Sequence, residues 1–142
     1  MKLMKYIAIA LLLTAVATNS ANAKQVKAKQ LYMFGFSASF TDSTVYMTSV
    51  QDVPGAWIDS KTKFLLGRDS YSYQLSEYLS EKRQQPKRVC LVIYALNRKK
   101  AEKQLQKMKR RYVEKAKGAY NVLYIKPEDF KFEAVEISPD QQ

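Results

Sequence analysis

The stretch from Val89 to Ile125 constrains this chain more than any other. An unbroken apolar run, Val89 to Leu96, leads through Asn97 into a strongly basic amphipathic segment, then Gly118 and a second short run from Tyr120 to Ile125. The first run has the length of a strand and no polar face, which predicts a strand buried on both sides. Asn97 is a natural helix N-cap, Ala101, Leu105, Met108, Tyr112 and Ala116 recur as a narrow apolar stripe, and Gly118 falls where a left-handed residue closes a helix. With Tyr120 to Ile125 as the next strand, the spacing predicts a strand-helix-strand crossover whose strands pair in parallel, with right-handed connection.

Upstream, Leu31 to Phe40 and Thr44 to Val50 are rich in aromatic and β-branched residues and flank Thr41-Asp42-Ser43, a hairpin pattern. Alternation puts Tyr32, Phe34, Phe36, Ala38 and Phe40 on one face and Met33, Gly35, Ser37 and Ser39 on the other; Gly35 marks either a bulge or a weak strand position. Residues 52–69 hold Pro54-Gly55, the lone Trp57, Asp59-Ser60 and Gly67, so they read as turns around a short extended piece at Ala56 to Ile58. Asp69 or Ser70 caps a helix running to about Arg83, with Tyr71, Leu75, Tyr78 and Leu79 on one face, and Gln84-Gln85-Pro86 ends it. Phe130 and Phe132 alternate with Lys131 and Glu133 in an expected last strand to Ile137. Lys24 to Gln30 reads as a flexible leader and Ser138 to Gln142 as a frayed tail. The predicted class is α+β: a single small domain over 31–137, ordered β-β-α-β-α-β-β, with a mixed sheet of about five strands and two helices packed on it.

Residues 1–23 read as a secretory signal. Lys2 and Lys5 precede the apolar Tyr6 to Val16, which is too short to span a bilayer, and Ala21-Asn22-Ala23 offers a small-x-small cleavage site. The expected product is exported, periplasmic or secreted. Its one cysteine, Cys90, gives no internal disulfide, so packing alone must hold the fold, and within the apolar run Cys90 reads as a small core hydrophobe. The chain contains 0 histidines, which removes the imidazole base, metal ligand and pH switch. No cofactor, metal site or catalytic residue is called.

Leaving out Lys2 and Lys5 takes the 24 basic residues to 22 against 13 acids, a net of +9. Between Arg98 and Lys117 there are ten basic residues and two acids, while Gly118 to Gln142 carries five acids and two lysines. Lys99, Lys103, Lys107, Arg111 and Lys115 follow one another at i, i+4, so four like-charge pairs repel. At about 0.2–0.5 kcal/mol each they cost roughly 1–2 kcal/mol at low salt. Arg98, Lys99 and Lys100 also occupy the first helical turn, where the macrodipole disfavours cations. One reading is a solvated face that aids solubility. The other is an anion-binding surface made by Asn97, Arg98, Lys99, Lys100, Lys103, Lys107, Arg111 and Lys115. Nucleic acid fits poorly, because the helix lacks interleaved aromatics for base stacking. Anionic envelope lipids or polymers, or an acidic protein, need only charge density.

Other constellations carry less. Ser60-Lys61-Thr62-Lys63 matches Ser-x-x-Lys, and Asp59 with Asp69 makes a carboxylate pair, so a small hydrolase centred on 59–69 is one alternative. A second is a glycan-binding module that stacks sugars on Trp57, Tyr71 and Tyr73.

Gln30 to Phe40, Ala56-Trp57-Ile58-Asp59-Ser60 and Val89 to Ala95, with the leader, resemble short exported proteins of Bacteroidetes for which no function is assigned. That resemblance implies export and brings no functional residues. The Val89 to Ile125 unit, through Tyr120, Val122 and Tyr124, is similar to half of a SPOR peptidoglycan-binding domain, which implies a glycan of the envelope as partner.

Overall fold

In the structure, a computed structural model, residues 23–138 are described; the expected signal segment up to residue 22 and residues 139–142 of the tail lie outside them. The expected hairpin forms. β2 (Tyr32–Ala38) runs antiparallel to β3 (Thr44–Thr48), with Asp42 Oδ1 accepting the Thr44 N–H at 2.9 Å to close the turn. β4 (Gln51–Asp52) continues the same side of β2. Between the pairs Phe36↔Met47 and Met33↔Gln51 lie residues 34 and 35 on β2 but 48 to 50 opposite, so the partner carries one extra residue, a β-bulge. Gly35 sits opposite it, and its N–H donates to Thr48 Oγ1 at 2.8 Å.

β2 also pairs along its whole length with β6 (Val89–Ala95), antiparallel, while β3 pairs in parallel with β7 (Asn121–Ile125). The sheet therefore runs β6-β2-β3-β7, with β4 extending β3. Two expectations are corrected. β6 and β7 point the same way but do not pair, because the β2–β3 hairpin lies between them. β6 is moreover an outer strand of the sheet, and Val89 and Leu91 are 44% and 37% exposed, so it is not buried on both faces.

α1 (Arg68–Lys82) buries Tyr71, Leu75 and Leu79, as its spacing predicts, against Met33, Tyr46, Val92 and Ile125. Its N-cap is Gly67, at φ 70, rather than Asp69 or Ser70; a Cβ there would lie 3.1 Å from Val135 Cγ1. α2 (Arg98–Lys109) packs Ala101 and Leu105 on the other face, against Phe34, Phe36, Val45, Met47 and Val50. The alternation read in β2 thus places Met33 under α1 and Phe34 and Phe36 under α2. The result is three layers, helix on sheet on helix, and an α+β single domain. α2 widens into a π-helical turn, Arg110–Glu114, with Lys115 N–H donating to Arg110 O at 2.8 Å, and the segment ends at Gly118, φ 81.

The stretch expected as a flexible leader contains a strand. β1 (Gln25–Lys27) pairs antiparallel with β5 (Trp57–Asp59), forming a second, two-stranded sheet. The expected last strand is not one. Its backbone is held by side chains instead: Gln51 Nε2 donates to Phe130 O and its Oε1 accepts the Phe132 N–H, both at 2.9 Å. Gln74 treats Glu133 in the same way, and Tyr71 Oη accepts the Val135 N–H at 2.9 Å. Phe132 is buried against Tyr71, on the α1 side of the sheet.

Candidate functional site

Asn97 caps α2 as its sequence predicts, its Oδ1 accepting the Lys100 N–H at 3.2 Å. Arg98 turns back over the Tyr32 ring, 5.0 Å from its centroid, and lies 3.7 Å from Glu102, so it is engaged within the chain. Lys99, Lys100, Lys103, Lys107, Arg111 and Lys115 are all exposed. Among the described residues the ion pairs are Arg88–Asp42 and Arg98–Glu102, and neither reaches the ladder. Lys99, Lys103 and Lys107 form its straight part within α2. Arg111 lies inside the π turn and Lys115 just past it, so the wider turn offsets them from the α-helical line.

Among the described residues, no acid of the C-terminal stretch forms an ion pair with this face. Phe130 to Val135 is bound through Gln51, Tyr71 and Gln74 to the opposite layer, so Glu133 sits against α1 while the ladder projects from α2.

Beside α2, Phe34, Ile93 and Met108, with Gln104, Lys107 and Arg111, line an open groove of about 230 Å³. Leu91 and Val89 share the Ile93 side of β6, since side chains alternate along a strand, and they carry the apolar floor onward along this outer strand toward its start. Ladder residues Lys107 and Arg111 therefore stand at the margin of an apolar surface, an arrangement invisible in the sequence because it depends on β6 being outermost. A larger hollow of about 650 Å³, lined among others by Lys27, Lys29, Lys63, Ile58 and Leu96, lies between β1, β5 and the end of β6.

The glycan-stacking trio does not assemble. Tyr71 is fully buried, and burial pushes its phenol pKa up. Tyr73 is 65% exposed, but a two-residue step on a helix turns it away from Tyr71. Trp57 is half-buried, with the Lys27 ammonium 5.5 Å from its ring centroid and its Nε1 buried without a hydrogen-bond partner. The hydrolase pattern does not converge either. Asp59 Oδ1 accepts the N–H groups of Lys61 and Thr62 at 2.8 and 2.9 Å, the Thr62 bond foremost in holding its carboxyl pKa down, as a turn former. Lys63 Nζ donates to the carbonyl of Ser60 at 2.7 Å, and the Ser60 hydroxyl accepts from the Lys24 backbone N–H at 3.0 Å, so the amine does not activate the hydroxyl. Asp69 is exposed in the first turn of α1. Cys90 is half-buried, and desolvation raises its pKa, while its Sγ lies 3.5 Å from Ser37 Oγ.

Sequence reasoning missed Arg88. Its guanidinium is almost dry and takes Ser37 Oγ, both Asp42 oxygens, Gln85 Oε1 and the Thr44 carbonyl as partners, while standing 5.0 Å over the Tyr46 ring. The signal was weak, since Lys87-Arg88 looks like one more surface pair. No protein-family model, curated protein or solved structure matches the chain.

Proposed function

We propose that this protein is a non-enzymatic binding protein, exported to the cell envelope, whose α2 face meets an anionic partner. The observation that carries the reading is the exposed run Lys99, Lys103, Lys107, Arg111 and Lys115, which forms no ion pair among the described residues, while Glu133 is held by Gln74 on the far layer. Like charges held together on a rigid helix destabilise the free protein and raise local anion concentration, so their energetic return comes on association.

Retention on phosphatidylglycerol vesicles, or on an acidic protein column, is expected at low salt and should vanish as salt shortens the screening length. A variant with Lys99, Lys103, Lys107 and Lys115 all changed to Gln should lose retention and keep its circular dichroism. Undiminished retention by that variant would sink the reading.

A further inference from the structure

From Val89 to Leu96 the sequence is that of a strand covered on both faces, yet the fold covers only one of them fully. α1 buries the Val92 side of β6, and Val92 is 0% exposed. On the other side Ile93 meets α2, and Leu91 and Val89 stand open. A disagreement between what a segment is built for and what its own chain supplies marks a place where something else belongs. The geometry says what size of object. Strands lie about 4.8 Å apart, so the four strands from β6 to β7 extend over about 14 Å, whereas packed helices stand about 8–10 Å apart. One helix, α2, occupies this layer. The flank toward β7 carries Tyr112 against Phe36 and Tyr120, Lys109 over Tyr124, and a hollow of about 300 Å³ rimmed by the charged Glu102, Lys109 and Lys126, while the flank toward β6 is the groove with the apolar floor.

Its chemistry selects the occupant. The floor, Phe34, Leu91, Ile93 and Met108, wants apolar side chains; the α2 wall presents Lys107 and Arg111. We propose that this groove receives an acidic amphipathic helix from another protein, laid alongside α2, with its apolar face on Leu91 and Ile93 and its carboxylates toward Lys107 and Arg111. The proposal rests on the reading of α2 as a binding face and names the partner class. A second copy of this chain fits less well. Pairing two such grooves would bring two basic helices side by side, within the roughly 8 Å screening length of physiological salt. The outer edge of β6 is also partly closed to strand addition, because Arg68 Nη2 donates to the Val92 carbonyl at 2.7 Å.

The test uses protein expressed from residues 1–142 and a synthetic helical peptide with leucines on one face and glutamates on the other. Controls are the same peptide with its leucines scrambled around the helix and one with Gln for every Glu. Binding is followed by calorimetry and by backbone amide shifts. The expected result is at least tenfold weaker binding of both controls, shifts centred on Leu91, Ile93, Met108 and Arg111, and at least tenfold loss in Leu91→Gln and in Val89→Gln. Both positions are open enough for Gln to leave the fold intact. Both variants should still be retained on phosphatidylglycerol vesicles through the ladder, so loss of peptide binding and loss of the anionic face are separate readouts. The proposal is overturned if the scrambled peptide binds equally well, if Leu91→Gln binds undiminished, if the chain alone forms a dimer that protects Leu91, or if lipid vesicles shift the β6 amides more than the peptide does.

Discussion

The side chain of Gln51 replaces a strand for Phe132: its carboxamide accepts the Phe132 N–H and donates to the Phe130 carbonyl, both at 2.9 Å, where a ladder partner would have done the same. The Phe132 amide is buried and the bond to the Phe130 carbonyl part-buried, so truncating Gln51 leaves a buried donor without a partner and deprives the acceptor of its bond. Gln51→Ala should cost about 2–3 kcal/mol, and Gln74→Ala, whose matching bonds to Glu133 are exposed, about 1 kcal/mol. Urea midpoints measure both, and amide exchange at Phe132 should accelerate only in the Gln51 variant. Equal losses would mean that the C-terminal segment is held by ring packing alone.

At Gly35 the sheet runs close beneath the side chains of the α1 layer. A Cβ there would lie 2.7 Å from Leu75 Cδ2 and 3.0 Å from Phe132 Cζ, both on buried side chains. Gly35→Ala should destabilise by about 1–3 kcal/mol through overpacking. Adding Leu75→Val removes the δ-methyl in the way, so the double variant should lose less than the sum of the single losses. Strict additivity in a denaturation cycle would show that the constraint at Gly35 is not this contact.

How far the sequence foretold the structure depended on how local the deciding physics was. The hairpin at Thr41-Asp42-Ser43, the α1 stripe of Tyr71, Leu75 and Leu79, the Asn97 cap and the Gly118 terminus each follow from neighbours in the chain, and each is present. What failed depended on partners far away. Gln25–Lys27 is polar and unremarkable until β5 pairs with it, and Phe130 to Ile137 has the right alternation but its backbone is taken up by the side chains of Gln51, Gln74 and Tyr71. Val89 to Ala95 has the composition of a covered strand, and nothing within it says that β2 and β3 will take the interior places. For the site, the ladder was legible because it is periodic along one helix. The groove was not, since Phe34, Ile93 and Met108 come from three elements. The Trp57, Tyr71 and Tyr73 grouping failed because Tyr71 belongs to the buried α1 stripe, Tyr73 lies two helical positions on and faces solvent, and Trp57 comes from β5.

Arg88 and Asp42 give the fold an acid-sensitive clasp. The Thr44 N–H first, and then the Arg88 guanidinium, hold the Asp42 carboxyl below the usual carboxylate range. A folded-state pKa below the unfolded one means that the stabilisation is complete above the ordinary carboxylate range and is lost as pH falls through the lowered value. Asp42→Asn should therefore flatten the acid side of the stability profile and leave the neutral-to-alkaline shape unchanged. Arg88→Met removes a donor set that satisfies Ser37 and the Thr44 carbonyl and should cost more than Asp42→Asn at pH 7. Thermal midpoints between pH 3 and 8 test both; an unaltered acid limb in Asp42→Asn would assign the sensitivity to other carboxylates.

The ladder should also leave a thermodynamic trace in the absence of any partner. Only the pairs Lys99–Lys103 and Lys103–Lys107 lie wholly within α2; the π turn sets Arg111 and Lys115 off the line, so the cost falls below what uniform i, i+4 spacing implies. At about 0.2–0.5 kcal/mol for each regular pair, replacing Lys99, Lys103, Lys107 and Lys115 by Gln should stabilise the free protein by about 0.4–1 kcal/mol at low salt. Because these side chains are exposed, high salt screens them, and the gain should shrink toward zero near 1 M, where the screening length is about 3 Å. Urea denaturation of the two proteins at low and high salt measures the difference directly. A variant that is less stable than the parent at low salt would show that the lysine stems pack on the helix surface strongly enough to outweigh their charges, and the face would then be structural rather than poised for an anion.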